Sequence, residues 1–428
     1  MLITGAINVI LRGLTLSGKF VLLLFLARYF SPEELGVFGL MSVTIAIALY
    51  VLGLDFYVYN TREILSRNPH QCAPFVRDQV VFHGIVYALT LPLLLGVFVS
   101  GTIAWKYLGW FYLLLVLEHL SQEANRLLIT LSRSTMANVV LFLRSGAWVF
   151  VAAGVAIFAD DKRSLPFLWS AWAVGVVASL GLTAYALRDV AWKELKGVRT
   201  NWGWIRNGTR VALPFFAATA SLMGIQYADR YFLQHYYGES TVGVYTFYAQ
   251  VSNAIQIFVF AGVISVLYPR IVAAYQQGRL SEYRLLVRKL SLGVGVSVLL
   301  LVGACAIAIK PILALVGKAV YGSQVGVFWI MLASGALLSC SYIPHYVLFA
   351  KRRDRDIIAS TGIALAVALV ANSLLVPRYG LHGAAWASAT AMAVLAGLKV
   401  ALAFRSRRDS RTVEGVEPKG VIQPVLTK

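Results

Sequence analysis

The first apolar stretch of this 428-residue chain carries two cations, Arg12 and Lys19. With Asn8 and Thr15 they follow a 4-3-4 spacing, which puts all four on one face of a helix. A cation at the centre of a membrane helix costs about 2.5–3.5 kcal/mol on insertion scales, so the pair should face water or an anion rather than lipid. Arg12 has a plainer alternative. It lies roughly 12 Å from the start of its stretch at 1.5 Å per residue, close enough to snorkel to the headgroups.

A second set of ionisable groups falls in the stretch 107–131: Glu118, His119, Gln122, Glu123, Asn125 and Arg126. Glu118, Gln122 and Asn125 share one helical face, and His119, Glu123 and Arg126 share the next. Inside a membrane such a set can neutralise nearby cations or take up a proton that couples transport to a gradient. A local Glu123–Arg126 pair with interhelical hydrogen bonds accounts for the same residues. Arg144, with Asn138 and Ser145 nearby, offers a third cation and has the same snorkelling alternative.

Two later stretches present polar stripes. Thr219, Gln226 and Arg230 share a face of 209–234, while Tyr245, Ser252 and Gln256 flank Thr246, Gln250 and Asn253 on 241–268. Asp229–Arg230, and Asp55 with Arg62 and Glu63, lie near the ends of apolar stretches and read as gate or lobe-contact positions, or as local ion pairs. The chain lacks a G-x-x-x-x-G-K-[ST] phosphate loop, and its six histidines are scattered without metal-ligand spacing, so no nucleotide, metal or other cofactor is expected. No connection on the expected outer side is long enough for a catalytic domain, so the chain reads as something other than an enzyme.

The elements that must hold these residues are membrane helices. The chain is 59% hydrophobic and 13% charged, with a mean hydropathy of +0.73. A helix needs about 20 mainly apolar residues to cross the hydrocarbon core. Stretches of that kind fall at 4–28, 36–58, 79–100, 107–131, 136–159, 165–187, 209–234, 241–268, 288–310, 325–350, 357–376 and 380–404. The class is an all-α polytopic membrane protein of about twelve spans. A net charge of +19 in a soluble chain would suggest nucleic acid, but here Lys and Arg crowd every second connection by roughly three to one, which excludes nucleic acid and places both termini in the cytoplasm. The first stretch holds charges and is too long for a signal peptide. Cys72, Cys305 and Cys340 imply no disulfide framework. The segment 405–428, with Pro418, Gly420 and Pro424, reads as a disordered cytoplasmic tail.

The chain also repeats itself. Arg28–Phe38 reappears in outline as His235–Tyr245 at a constant offset, 243 − 36 = 207. Each copy falls at a polar connection between two apolar stretches, so the repeat unit is a half of six spans: 1–187 and 207–404, joined by a basic linker 188–206. Trp192, Trp202 and Trp204 suit a linker at the headgroup level. Six spans per half give both halves one orientation and leave a central cavity between parallel lobes.

The segment Ala27–Phe38 resembles the loop between spans 1 and 2 of the polysaccharide (O-antigen type) flippases of the multidrug/oligosaccharidyl-lipid/polysaccharide exporter superfamily. Further similar segments are Asp229-Arg230-Tyr231 through Val242–Tyr245, Pro269, Leu348–Lys351, and Asn372 through Pro377–Ala385. The resemblance implies an alternating-access transporter in the bacterial inner membrane. It would move an undecaprenyl-pyrophosphate-linked oligosaccharide to the periplasmic leaflet, with membrane lipids and other polysaccharide-assembly proteins as partners. Arg12, Lys19 and Arg144 would then hold phosphates, Gln226, Tyr245, Asn253 and Gln256 would contact sugar, and Arg230 would serve substrate or gate. Glu118, His119, Glu123, Asp229, Asp55 and Arg62 would act in coupling or gating. Two rivals stand beside this reading: an ion-coupled multidrug-type antiporter, and a membrane glycosyltransferase or polymerase acting on lipid-linked glycans.

Overall fold

The computed structural model describes residues 2–65, 72–190, 192–195 and 199–413. The first half contains α1 (Leu2–Tyr29), α2 (Pro32–Gly53), the short α3 (Tyr57–Leu65), α4 (Ala73–Leu94) with its continuation α5 (Gly96–Val99), and α6 (Leu108–Thr130). It ends with α7 (Ser134–Phe142), a π-helical turn at Leu143–Ala147, α8 (Trp148–Phe158) and α9 (Leu165–Ala186). The second half contains α10 (Trp202–Val259), α11 (Ser265–Gln276), α12 (Leu280–Val316), α13 (Ala319–Gly322), α14 (Val325–Ala350) and α15 (Asp354–Val413).

At 58 and 60 residues, α10 and α15 are too long for one crossing, and each reverses at a glycine with positive φ, Gly238 (78°) and Gly380 (54°). The reversal is visible in contacts. Tyr245 Oη lies 2.5 Å from Asp229 Oδ2, sixteen residues back, where a straight helix would put the two about 24 Å apart. A Cβ on Gly383 would lie 2.1 Å from the carbonyl oxygen of Leu375. Among the described residues nine helices are long and apolar enough to cross a bilayer; α10 and α15 each supply two crossings, and α6, made more polar by Glu118, Glu123 and Arg126, completes twelve. The chain is an all-α, multi-pass membrane protein. The tail expected to be disordered from 405 is helical through Val413, and its remainder lies outside the described residues.

The repeated segment is mostly helix rather than loop. Ser31 accepts from the Glu34 amide while the Glu34 carboxylate accepts from the Ser31 amide, and Pro32 fills the first turn, so α2 starts four residues before the apolar run does. This helix start crosses its own repeat. A Cβ on Gly36 would meet the Glu239 carbonyl oxygen at 1.9 Å, and a Cβ on Gly243 would meet the Pro32 carbonyl oxygen at 1.9 Å. Glu239 is the repeat partner of Pro32, so the two contacts are one contact applied twice, the signature of a pseudo-twofold axis between the lobes. Gly39 packs on its own partner Thr246, and the Glu33 carboxylate accepts from its own partner Ser240.

At this turn end of the bundle, where α1 meets α2, cations cap helices across the lobes. Arg28 Nη1 donates to the Leu315 carbonyl near the end of α12 at 2.6 Å, and Lys318 Nζ donates to the Ala27 carbonyl near the end of α1 at 2.8 Å and to Phe30. At the opposite, amino end, Gly208 fits against Phe56 and Tyr59, and Trp204 packs on Phe56, Tyr59 and Phe75. Trp204 is buried by these rings at a contact between the lobes, while Trp202 stays exposed.

Adding a methyl group where two backbones touch overpacks the crossing, so Gly36→Ala or Gly243→Ala should cost about 1–3 kcal/mol. The expected readout is a lower thermal midpoint of the detergent-purified protein; midpoints equal to wild type would show that the helix starts separate freely.

Candidate functional site

The polar residues of the first half converge inside its own bundle. The π-helical turn at Leu143–Ala147 places Arg144 toward α6, and Gly146 lets the α1 backbone at Thr15 and Gly18 approach closely. Arg144 Nε donates to Glu118 Oε2 at 2.5 Å and Nη2 lies 3.4 Å from Gln122 Oε1. Glu118 takes a second donor residue, Trp172, through Nε1 at 2.6 Å. Of the three expected phosphate-binding cations, Arg144 is thus already paired. Arg12 Nε donates to Asn138 Oδ1 at 3.2 Å and its side chain stays exposed. Lys19 is exposed at the surface of the bundle, with Arg144 and Glu118 within electrostatic reach.

One helical turn along α6, Glu123 accepts from Arg126 and from Gln79 Nε2 at 2.7 Å, so the expected local pair exists but has a partner from α4 as well. His119 lies beside Tyr87 and against the edge of His83, with ring centroids 4.7 Å apart. Arg12, Lys19, Arg126 and Arg144 stand with Glu118, Glu123 and, in reach of Arg126, Asp55, so four cations share three carboxylates in this cluster.

The second half holds its ion pair internally. Asp229 Oδ1 pairs with Arg230 Nη1 at 2.9 Å, and Oδ2 accepts from Tyr245 at 2.5 Å and Ser388 at 3.0 Å. Arg230 lies between the rings of Tyr227 and Tyr245, each centroid 5.4 Å away. Gln226, Ser252 and Asn253 line a cavity of about 50 Å³ with this pair. Such a volume holds a water or two and no sugar. Gln226, Arg230, Tyr245 and Asn253, expected to meet a polar ligand, are inside the second lobe in this conformation, because the second strand of the α10 hairpin turns its polar stripe onto the first. Gln256 differs. Its Nε2 donates to Tyr342 at 2.8 Å, and Tyr342 in turn lies within electrostatic reach of Tyr50 in the first lobe.

Tyr50 marks the space between lobes. It lies within electrostatic reach of Arg126 and Arg144 on one side and of Tyr227 and Tyr342 on the other. Asp55 is at the same seam, accepting from Thr219 of the second lobe, and Arg62 lies over the Phe215 ring at 5.9 Å, so both are lobe contacts. Sequence spacing missed Gln79, His83, Tyr87, Tyr50 and Trp172. The helical face of Gln79, His83 and Tyr87, at 4-4 spacing, is the signal that could have found three of them.

A family model described as "Polysaccharide biosynthesis protein" matches residues 4–275. No curated protein sequence matches the chain. Among solved structures, an inward-facing multidrug resistance MATE family transporter of the MOP superfamily is similar at a TM-score of 0.76 and 14% identity, covering 96% of this chain and 100% of that one. An outward-facing conformation of such a transporter matches at 0.61 and 13%, covering 97% and 95%. A mutant of the Vibrio cholerae MATE transporter VcmN matches at 0.57 and 13%, covering 96% and 99%. The shared fold is that of two-lobed transporters.

Removing one partner of a buried ion pair strands the other charge, at about 3–5 kcal/mol. Glu118→Ala should therefore lower the thermal midpoint sharply, and the double substitution Glu118→Ala/Arg144→Met should recover most of the loss. A single variant as stable as wild type would mean that water solvates Arg144.

Proposed function

Because the chain belongs to the polysaccharide biosynthesis protein family, we propose that it is a flippase for a lipid-linked oligosaccharide, moving a polyprenyl-pyrophosphate sugar from the cytoplasmic to the periplasmic leaflet of the bacterial inner membrane. Both termini lie in the cytoplasm in this reading, so the turn end of the bundle is periplasmic and the amino end cytoplasmic. The observation that supports the proposal is the cation cluster of the first lobe, in which Lys19 is exposed while Glu118 and Glu123 are already bound by arginines. A pyrophosphate is a dianion or more, and in a low-dielectric setting cations without a carboxylate partner attract it strongly.

The conformation supports the same reading. The lobes meet at the turn end through the Gly36–Gly243 crossing and the Arg28 and Lys318 caps, while the other half of α1 exposes Val9 and Ile10, 71% and 59% accessible. In this reading a headgroup enters from the cytoplasmic leaflet beside the amino half of α1, past the aromatic contact around Trp204, while its polyprenyl tail stays in lipid. Tyr50, Tyr342 and Gln256 then present aromatic faces and an amide to sugar.

A cation-exporting antiporter is favoured less by these residues. A cationic drug needs an available acid, and Glu118, Glu123 and Asp229 each hold an arginine, which leaves Asp55, bound to Thr219 at the seam.

Each lost charge-assisted contact to phosphate is worth about 1.5–3 kcal/mol, roughly a tenfold to hundredfold weakening. Lys19→Ala and Arg12→Ala should each abolish or strongly reduce surface polysaccharide in cells that depend on this chain, at equal membrane levels, and Lys19→Arg should restore it. Normal polymer from both alanine variants removes the anion-binding hypothesis.

A further inference from the structure

We propose that Gln79, His83, His119 and Glu123 form a binding site for one divalent transition-metal ion of the zinc class inside the first lobe. The four residues come from two facing helices as two i,i+4 pairs, Gln79–His83 on α4 and His119–Glu123 on α6. One ligand atom from each of His83, His119 and Glu123 lies within 4.8 Å of the other two, and His83 Nε2 is 3.8 Å from Glu123 Oε2. Ligands of a tetrahedral zinc stand about 3.3 Å apart at zinc–nitrogen and zinc–oxygen distances near 2.0–2.1 Å, a contraction that side-chain torsions can supply.

Orientation argues for an ion more than proximity does. Each ligand is fixed through its other atom, the arrangement that steers metal ligands in proteins. His83 Nδ1 lies 3.1 Å from the Leu52 carbonyl, which only accepts, so in the neutral ring the proton is on Nδ1 and the Nε2 lone pair faces Glu123. His119 Nδ1 bonds Tyr87 Oη at 2.8 Å, and its Nε2 is buried without a partner in a residue only 1% exposed. Arg126 takes Glu123 Oε1 and leaves Oε2 facing His83. With the His119 proton on Nδ1, toward the Tyr87 oxygen, three Lewis-basic atoms converge on one space.

Gln79 supplies the fourth donor. Its amide nitrogen now sits 3.2 Å from His83 Nε2 and 2.7 Å from Glu123 Oε2, bridging the two atoms a metal would bridge. Its oxygen accepts from Asn60, whose own Oδ1 is buried without a partner. A half-turn of both amides puts Gln79 Oε1 among the ligands and gives Asn60 Oδ1 a donor. The result is an N₂O₂ set, which suits zinc and its neighbours rather than sodium or magnesium. Arg126 opposes the ion's charge from behind Glu123, so micromolar affinity is expected rather than the much tighter binding of thiolate sites.

The test uses the full chain purified in detergent, with any histidine tag removed and metal stripped by a chelator, and titrates zinc chloride alone. Expected are one zinc retained per chain at micromolar affinity, a zinc-dependent rise in thermal midpoint, and no competition from millimolar magnesium or sodium. His119→Ala and Glu123→Gln should each weaken binding at least tenfold. Should His119→Ala fail to fold, His119→Gln, which keeps an amide donor toward Tyr87, is measured in its place. Wild-type protein that retains no zinc above ten times the protein concentration overturns the site, as does equal binding by the folded variants. Transport is not read in this experiment, so its failure leaves the flippase reading standing, and loss of polysaccharide export in Lys19→Ala says nothing about the metal.

Discussion

Two helix starts touching backbone to backbone set the architecture. Gly36 and Gly243 have no room for a side chain, and their contacts with Glu239 and Pro32 map onto one another through the 207-residue repeat. A crossing built from carbonyls and glycine Cα atoms can pivot without unlocking interdigitated side chains, which any bulkier residue would prevent. Everything that differs between the two ends of the molecule is arranged around it. At the turn end, Arg28 and Lys318 each satisfy carbonyls at the end of a helix in the opposite lobe, groups that a helix cannot satisfy itself. At the amino end, the contact is aromatic packing around Trp204 plus the Asp55–Thr219 hydrogen bond. Polar caps exchange readily for water and aromatic packing does not, so the two closures differ in what replaces them when the lobes rock.

Within the lobes, electrostatics is settled locally. Asp229 is satisfied by Arg230, Tyr245 and Ser388, and Glu118 by Arg144 and Trp172. A buried carboxylate with several good donors tolerates a low-dielectric setting that an isolated one would not. The second lobe satisfies its buried pair in this way, and the cavity beside Asp229 and Arg230 is water-sized. In the first, Lys19 and Arg12 have no carboxylate of their own among their described contacts. That asymmetry between lobes of common design is why the proposed anion site is placed in the first.

Much of this was legible in the sequence. Span number, the repeat and its offset, and the helical faces of Arg12–Lys19 and Glu118–Gln122 follow from hydropathy and 3.6-residue periodicity, which report single helices faithfully. The boundaries between spans 7 and 8 and between spans 11 and 12 fell at Gly238 and Gly380 for the same reason. What periodicity cannot report is which helix faces which. Tyr245 and Asn253 sit on a polar stripe as expected, yet the stripe turns into the hairpin rather than the chamber. His83 and His119 are 36 residues apart and on different helices, so only their packing brings the rings together. Nor could periodicity foretell that Phe56, Tyr59 and Phe75 would bury Trp204, since all three come from the other half of the chain.

The Arg144–Glu118 pair gives the proposed anion site a way to release as well as bind. In the proposed cycle a pyrophosphate beside Lys19 would compete with Glu118 for Arg144, and two negative groups on one guanidinium would not both be held at full strength. Trp172 Nε1 remains on Glu118 Oε1 whichever way the competition goes, so the carboxylate keeps a donor when Arg144 swings toward phosphate. The reverse motion restores an ion pair already built into the bundle, which limits how tightly the headgroup is held. A carrier requires such a limit, since a site that bound pyrophosphate with every cation unpaired would gain affinity on one side of the membrane only to retain its cargo on the other.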